Sequence, residues 1–347
     1  MNMRMAAALC GAALLFATAS HSAPKSLVKI QKISKIQAAK IASLGYDVVS
    51  IKDGYAEAVL DKAEATALSG KGYSLKTLIA DLDKYVEQMK GTQNKTDAYY
   101  NYAKVETVLG DWAKKYSEIC RLESIGKSCE NKDIWALKIS DSPQKNEQEP
   151  AVLLMGAHHS REWPSIEVPM AVAEKLLTNY SENPEIKRLV DTREIWIVPV
   201  VNPDGVIYSM EKSKFWRKNR RKNSDGTFGV DLNRNYGYQW GDVGSSNSGY
   251  SDTYHGPHAF SEPESIAIKK LAEREKFQAS ISYHTYSELI LYPFGYAHNV
   301  NNPDSKIFVK LAEEMSKMNG YRPQNSAQLY PAMGDLDDYL YGSEKVL

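Results

Sequence analysis

The sequence has little cysteine and no excess of either charge. Only 3 cysteines occur among 347 residues, too few to hold a chain of this size together as a disulfide scaffold. The 43 Lys and Arg residues equal the 43 Asp and Glu residues, which excludes a nucleic-acid binder that works through overall positive charge. With 43% hydrophobic and 25% charged residues, the composition is that of a folded globular protein of one large or two smaller domains.

Long apolar runs are missing as well, and the uncharged run from Ala6 to Ala17 is too short to cross a bilayer as a mature helix. It follows a single arginine and leads into Ala17-Thr18-Ala19, a pattern typical of a secretory signal with an A-x-A cleavage site. We therefore expect residues 1–23 to be a signal peptide, cleaved after Ala19 or Ala23, and the protein to be secreted or periplasmic. A buried N-terminal helix is the alternative.

Removal of that signal leaves two cysteines, Cys120 and Cys129, on either side of Ile125-Gly126-Lys127. In an exported protein, two such cysteines can close a short loop as a disulfide, which is the pairing we predict. Two free, half-buried thiols are the alternative.

Residues 24–96 alternate short strand and helix patterns and predict a small α+β unit with an exposed linker at 91–96. Asp53-Gly54 between two β-rich runs indicates a hairpin. The segment from 26 to 80 holds neither His nor Cys, so it offers no obvious chemistry. The predicted helices are 34–45 and Asp61–Ala67, and the predicted strands are 28–33, Asp47–Ile51, Tyr55–Leu60 and Tyr73–Ile79.

From Asp97 to Leu347, strand patterns that are apolar on both faces alternate with helical patterns. Such a chain predicts an α/β domain with a mixed, mostly parallel sheet and helices on both faces. The predicted strands are Asp133–Ile139, Ala151–Met155, Glu194–Val201, Phe277–Tyr283 and Leu289–Tyr292, and the predicted helices are Ser165–Tyr180, Pro184–Val190 and Glu262–Lys276.

Histidine and glutamate follow two of these strands, at the sheet edge where α/β proteins gather catalytic groups. His159 and Glu162, three residues apart in a turn, can face one point that His284 approaches from a neighbouring strand. Two imidazoles and one carboxylate form a catalytic zinc set with one coordination position left for water. A His-x-x-Glu motif alone is weak, and spacing leaves His158, His255 and His258 as alternative ligands.

Basic residues are concentrated in Trp216–Lys222, where the last six residues include five. Nucleic-acid contact is disfavoured there because the chain has no net charge, carries an export signal and has no interleaved aromatic residue beyond Trp216. Further along, Asn233-Arg234 is suited to holding a carboxylate, since a guanidinium binds it bidentately and the amide adds a donor.

Six motifs follow one another along the chain: Gly156-x-His158-His159-Ser160-Arg161-Glu162-Trp163, Val201–Gly205, Trp216-Arg217-Lys218, Gly229-Val230-Asp231-x-Asn233-Arg234-Asn235, Tyr254-His255-Gly256 and His284-x-Tyr286. Taken together, these motifs resemble the zinc carboxypeptidases of the A, B and T type, in the family's order and over about residues 97–347. Residues 24–96 resemble the family's inhibitory pro-domain in pattern and position.

The resemblance implies a role for each matching residue, and its ligand set is the one known for carboxypeptidase A. Zinc ligands would be His159, Glu162 and His284, one ion per chain. Arg217 would stabilise the developing oxyanion, and Asp231 would orient a ligand imidazole. The remaining roles concern substrate: Asn233, Arg234 and Arg161 would hold its C-terminal carboxylate, Tyr330 would cap it, and Asp337 with Asp335 would favour a terminal Lys or Arg.

The implied protein is therefore a secreted metallocarboxypeptidase, made as a zymogen and acting on the C termini of peptides or proteins. We expect a monomer with neither nucleic acid nor membrane as a partner. A related zinc amidohydrolase of small acyl-amino acids is disfavoured by Asn233-Arg234 and by the Tyr330 segment.

One family residue has no match. The general-base Glu falls just beyond Leu347 in the register set from Tyr330, and Glu344 lies too early in that register to replace it. Either these residues are a piece of an active enzyme, or they form a relative that binds zinc and peptide without turnover.

Overall fold

The computed structural model describes residues 24–89 and 98–347, so the expected signal peptide and linker lie outside the described residues. Across those two ranges, no helix is long and apolar enough to span a bilayer.

The first unit is an antiparallel sheet in the order β2-β3-β1-β4, covered by helices, as its alternating patterns predict. Helix α1 begins with a reciprocal capping box between Ser34 and Gln37. Its elements are β1 (Ser26–Gln31), α1 (Lys35–Ser43), β2 (Val48–Lys52), β3 (Tyr55–Leu60), α2 (Lys62–Gly70), β4 (Ser74–Ile79) and α3 (Leu82–Met89).

The second unit is built on a mixed sheet in the order β5-β6-β8-β7-β9, with β10 and β11 forming a separate parallel pair. Its strands are β5 (Cys120–Lys127), β6 (Asp133–Ile139), β7 (Ala151–Met155), β8 (Glu194–Val198), β9 (Ala279–Ser282), β10 (Leu289–Tyr292) and β11 (Arg322–Asn325). Its helices are α4 (Tyr102–Lys115), α5 (Pro164–Asn179), α6 (Pro184–Val190), α7 (Pro203–Glu211), α8 (Pro263–Glu275), α9 (Ser305–Asn319) and α10 (Leu336–Glu344).

Helices cover both faces of this sheet, which confirms the predicted α/β architecture. On one face α4, α5, α6 and α7 pack against the sheet around Leu137, Ile139 and Ile197. On the other face α8 and α10 pack around Leu153 and Trp196. Burial of apolar surface on both sides of the central strands is the main stabilising term for such a sheet.

The predicted disulfide between Cys120 and Cys129 is wrong, because both cysteines are free in the described chain. Strand β5 occupies the sequence between them, and its 8 residues extend over about 26 Å. A disulfide needs Cα atoms only about 4–7 Å apart. The short loop expected from the spacing is thus an extended strand.

Strand β8 also differs from the prediction, since it ends at Val198 rather than Val201. Pro199 follows Val198, and a proline has no N–H to continue the ladder.

Candidate metal centre

Strands β7 and β9 are parallel neighbours, with Met155 paired to Ser282. Both strands therefore end at the same edge, and the segments that follow them start side by side. A turn after β7, in which the Glu162 N–H donates to the His159 carbonyl at 3.1 Å, directs both side chains to one point. His284 follows β9 by two residues and reaches the same point.

The three predicted ligands converge. His159 Nδ1 lies 2.9 Å from Glu162 Oε1, His284 Nδ1 lies 2.9 Å from Glu162 Oε2, and the two Nδ1 atoms are 3.1 Å apart. One donor atom from each residue lies within 4.8 Å of the other two. Two imidazole nitrogens and a carboxylate aimed at one another are a donor set that fits Zn²⁺.

The charges around this cluster keep its carboxylate ionised. Burial would raise the pKa of Glu162, but the adjacent His159 and His284 hold it well below the usual value. An ionised carboxylate is the form that binds a metal.

Asp231 lies behind His159 and is completely buried. Its Oδ1 is 3.1 Å from His159 Nε2, and its Oδ2 accepts hydrogen bonds from Arg217 Nε at 3.0 Å and, in the same ion pair, lies 2.9 Å from Nη2. Burial would raise the pKa of Asp231, yet Arg217 and His159 hold it well below its usual value. Arg217 Nη1 lies 3.9 Å from Glu162 Oε1, so its guanidinium reaches the edge of the cluster.

Arg161 projects from the same turn and is held by a carboxylate of the first unit. Its Nη2 donates to both oxygens of Asp47, at 2.9 and 2.7 Å. Asp47 is 6% exposed, so this is a buried ion pair between the two units.

Comparisons with known proteins agree with this geometry. A family model described as zinc carboxypeptidase matches residues 105–347. A zinc carboxypeptidase of Saccharothrix mutabilis subsp. capreolus is 34% identical over 336 residues, which cover 88% of this chain and 76% of that protein.

The chain belongs to the zinc carboxypeptidase family.

Zinc is therefore the metal cofactor of the chain, His159, Glu162 and His284 are a group that could bind it, and the reaction class is hydrolysis of peptides at their C termini. Zinc carboxypeptidase A 1 of Anopheles gambiae is 32% identical over 72% of this chain, but the match spans only 58% of that protein. This chain thus spans less than two thirds of the mosquito relative. The structure of carboxypeptidase A from Helicoverpa armigera shares the fold, with a TM-score of 0.79 at 24% identity over 93% of this chain and 86% of that one.

Further residues predicted to bind substrate in this carboxypeptidase are Asn233, Arg234 and Tyr330. Asn233 and Arg234 form a short 3₁₀ turn directly after Asp231. Arg234 donates to the backbone carbonyls of Gly244 at 2.8 Å and Asn233 at 2.6 Å. Tyr330 is half-buried and packs against the apolar core of the first unit.

Of the three carboxylates near the start of α10, Asp335 and Asp338 accept backbone hydrogen bonds, and Asp337 accepts none from the part of the chain that the structure describes. Asp335 caps the helix, because its Oδ1 accepts a hydrogen bond from the Asp338 N–H at 2.8 Å. Asp338, which the sequence did not single out, is 1% exposed and accepts from the backbone N–H groups of Gly295 and Tyr296. Asp337 has no hydrogen bond or ion pair within the described residues, and it lies close enough to His284 for the two side chains to influence each other's pKa.

The alternative ligands have other partners. His255 Nε2 contacts Asp242 at 3.0 Å, and His258 Nδ1 contacts the Ala259 carbonyl at 2.9 Å. His158 is 1% exposed and contacts Tyr236 Oη at 3.0 Å. Glu344 ends α10, where its partners are Tyr339 Oη at 3.2 Å and Lys276 Nζ at 3.7 Å.

Sequence reasoning missed Asp47 altogether. Asp47 and Arg161 are 114 positions apart, and the sequence pattern predicts Asp47 only as the first residue of a strand. No local signal could have paired them.

Proposed function

We propose that this chain is an exported zinc carboxypeptidase that removes C-terminal Lys or Arg from peptides and is held inactive by its first unit. Two observations support the proposal: His159, Glu162 and His284 converge, and the guanidinium of Arg161, the residue before Glu162, is already occupied by the carboxylate of Asp47. A group that binds one carboxylate in this way can bind the carboxylate at a peptide's end.

The chain's own residues have separate roles in the proposed reaction. Zinc bound by His159, Glu162 and His284 would lower the pKa of a water molecule and polarise a peptide carbonyl. Asp231 holds the guanidinium of Arg217 through two nitrogens, so Arg217 is oriented before substrate arrives. Such a fixed cation stabilises negative charge that develops on the carbonyl oxygen.

Recognition of a free C terminus is assigned to Asn233, Arg234 and Arg161. An internal peptide bond offers no carboxylate and would leave the buried guanidinium of Arg161 without a charged partner once Asp47 is removed, so the site discriminates in favour of chain ends. This makes the protein an exopeptidase.

Specificity is assigned to Asp337, with Asp335 beside it. One carboxylate oxygen of Asp335 accepts the hydrogen bond that caps α10. Asp337, in contrast, has no hydrogen bond among the described residues and lies close to His284, a proposed metal ligand. A carboxylate in that position favours a cationic terminal side chain.

Inhibition is assigned to the segment Ser43–Asp47, which bridges the two units. The Ser43 carbonyl accepts a hydrogen bond from the Gly244 N–H at 2.9 Å, and the Gly45 carbonyl accepts one from Thr253 Oγ1 at 2.5 Å. Together with Asp47 on Arg161, these contacts block the carboxylate-binding group until the first unit is cut away near residues 91–96.

A relative that binds zinc and peptide without turnover is the second candidate. The observation that favours it is the position of Glu344, whose partners are Tyr339 and Lys276 rather than the metal ligands. A catalytic base must come within hydrogen-bond reach of the proton it removes.

The test uses chain cleaved at the linker, loaded with zinc, and two peptides that differ only in a terminal Lys or Phe. We expect tighter binding of the Lys peptide, and preferential release of Lys if the protein turns over. Asp337→Asn should lower the preference for Lys by about tenfold or more, roughly the value of one charge-assisted hydrogen bond. Glu344→Gln, on the same helix, is the matched control and should change neither binding nor rate.

Equal handling of the two peptides, or a preference for Phe, would overturn the specificity. Binding without release would select the second candidate. Activity of uncut chain equal to that of cut chain would overturn the inhibitory role of the first unit.

A further inference from the structure

Each imidazole that is proposed to bind the metal through Nδ1 has a second ring nitrogen, Nε2. The Nε2 atoms of His159 and His284 have different hydrogen-bond partners. His159 Nε2 contacts the carboxylate of Asp231. His284 Nε2 contacts the hydroxyl of Ser282 at 3.2 Å. Ser282 is the last residue of β9, and its side chain lies on the same side of the strand as His284 because residues two apart share a face.

The Ser282 hydroxyl also contacts a third imidazole. Its Oγ lies 3.3 Å from Nδ1 of His158, whose Nε2 lies 3.0 Å from Tyr236 Oη. His158 is 1% exposed and Tyr236 is fully buried, and the His158 ring stacks on that of His284 at 5.9 Å and 24°. A continuous chain of hydrogen bonds therefore runs from the buried core to the outer nitrogen of His284.

The number of N–H and O–H hydrogens on these side chains determines which atom donates in each hydrogen bond. An imidazole that offers its Nδ1 lone pair to a metal carries its proton on Nε2. His284 Nε2–H then donates to Ser282 Oγ, and the single hydroxyl hydrogen of Ser282 donates to His158 Nδ1. His158 keeps its own proton on Nε2 and donates to Tyr236, so His284, Ser282 and His158 each donate once along the chain.

We propose that Ser282 is a positioning residue of the metal centre, which fixes the tautomer and ring orientation of His284 as Asp231 does for His159. His158, absent from the metal-binding cluster, is the acceptor that orients the Ser282 hydroxyl. Outer partners of ligating histidines typically contribute about 10–100-fold to metal affinity. A neutral hydroxyl forms weaker hydrogen bonds than a carboxylate, so we expect the lower end of that range.

The proposal rests on the proposed zinc site and is tested by zinc affinity, measured by competition with a chromophoric chelator on the full chain. Ser282→Ala should weaken zinc binding about tenfold. Ser282→Thr keeps the hydroxyl and should bind zinc within about twofold of the unaltered protein. Ser280→Ala, two residues earlier on the same face of β9, is the matched control and should leave the affinity unchanged.

A second readout addresses orientation directly. In the cobalt-substituted protein, the visible absorption of the metal should change for Ser282→Ala and be restored for Ser282→Thr, with equal circular dichroism showing that all variants are folded. Equal zinc affinity and equal cobalt spectra for Ser282→Ala and the unaltered protein would overturn the inference. Absence of zinc binding by the unaltered protein would instead overturn the proposed function.

Discussion

At the scale of single residues, Glu264 shows how burial shifts a carboxyl group in this protein. Glu264 is fully buried at the start of α8, and its hydrogen-bond donors include the backbone N–H of Cys129 and the amide of Asn219, both at 3.1 Å. Burial raises its pKa from 4.5 to about 7, against the lowering effect of the backbone donors, and the nearby carboxylates of Glu262 and Asp204 add to the rise.

That shift predicts a pH dependence of stability. Between pH 4.5 and about 7 the folded protein holds a proton on Glu264 that the unfolded chain has lost, so the free energy of unfolding should fall as pH rises through this window. The loss amounts to at most about 3 kcal/mol. Glu264→Gln cannot titrate and should show a flatter dependence in denaturant titrations. Identical pH dependence of the two proteins would contradict the assignment.

The convergence of the three candidate metal ligands is the feature of the site that sequence could best predict. His159, Glu162 and His284 follow apolar runs that read as strands, and parallel strands place their ends at one edge. Ser282 and Asp338 could not be predicted, because Ser and Asp at strand and helix ends are ordinary and only the fold shows which atoms they face.

At the scale of elements, the segment between α1 and β2 carries the contacts to which we assign inhibition, and Gly45 determines whether this segment can pack against the second unit. Gly45 has a φ of +84°, and a Cβ there would lie 2.3 Å from the backbone carbonyl oxygen of Ser245 in the second unit. Because backbone cannot yield as a flexible side chain can, any larger residue must push the two units apart.

Gly45→Ala should therefore expose Arg161 in the uncut chain. We expect its affinity for a peptide ending in Lys, measured by fluorescence anisotropy, to rise toward that of the cleaved protein. Gly54→Ala is the matched control, since Gly54 has a similar φ of +81° but nothing within 4 Å of an added Cβ. Equal peptide affinities of these two variants would contradict the blocking role of Ser43–Asp47.

Strands whose structure depends on local sequence pattern were predicted correctly, whereas a strand whose structure depends on long-range pairing was not. Strands β6, β7 and β10 match the predicted bounds because they are short runs rich in β-forming residues. Strand β5 was interpreted as a loop closed by its cysteines, and its identity depends on pairing with β6, which local sequence does not show.

At the scale of the whole molecule, two units with separate cores are joined by polar and apolar contacts. Lys25 of the first unit lies 3.4 Å from Asp252 of the second, and Asp47 binds Arg161. Tyr330 of the second unit packs on the first unit's core. The first unit could be predicted as a small α+β fold. Its contacts with the second unit could not be predicted, because they join residues far apart in sequence.

The zinc site is tested most directly by the zinc content of the purified chain, measured by atomic absorption before and after replacement of two proposed ligands. We expect one zinc ion per chain in the unaltered protein and almost none after His159→Ala with Glu162→Ala, since the remaining imidazole cannot hold the ion alone. An unaltered protein without zinc, or a double variant that keeps its full zinc content, would contradict this expectation.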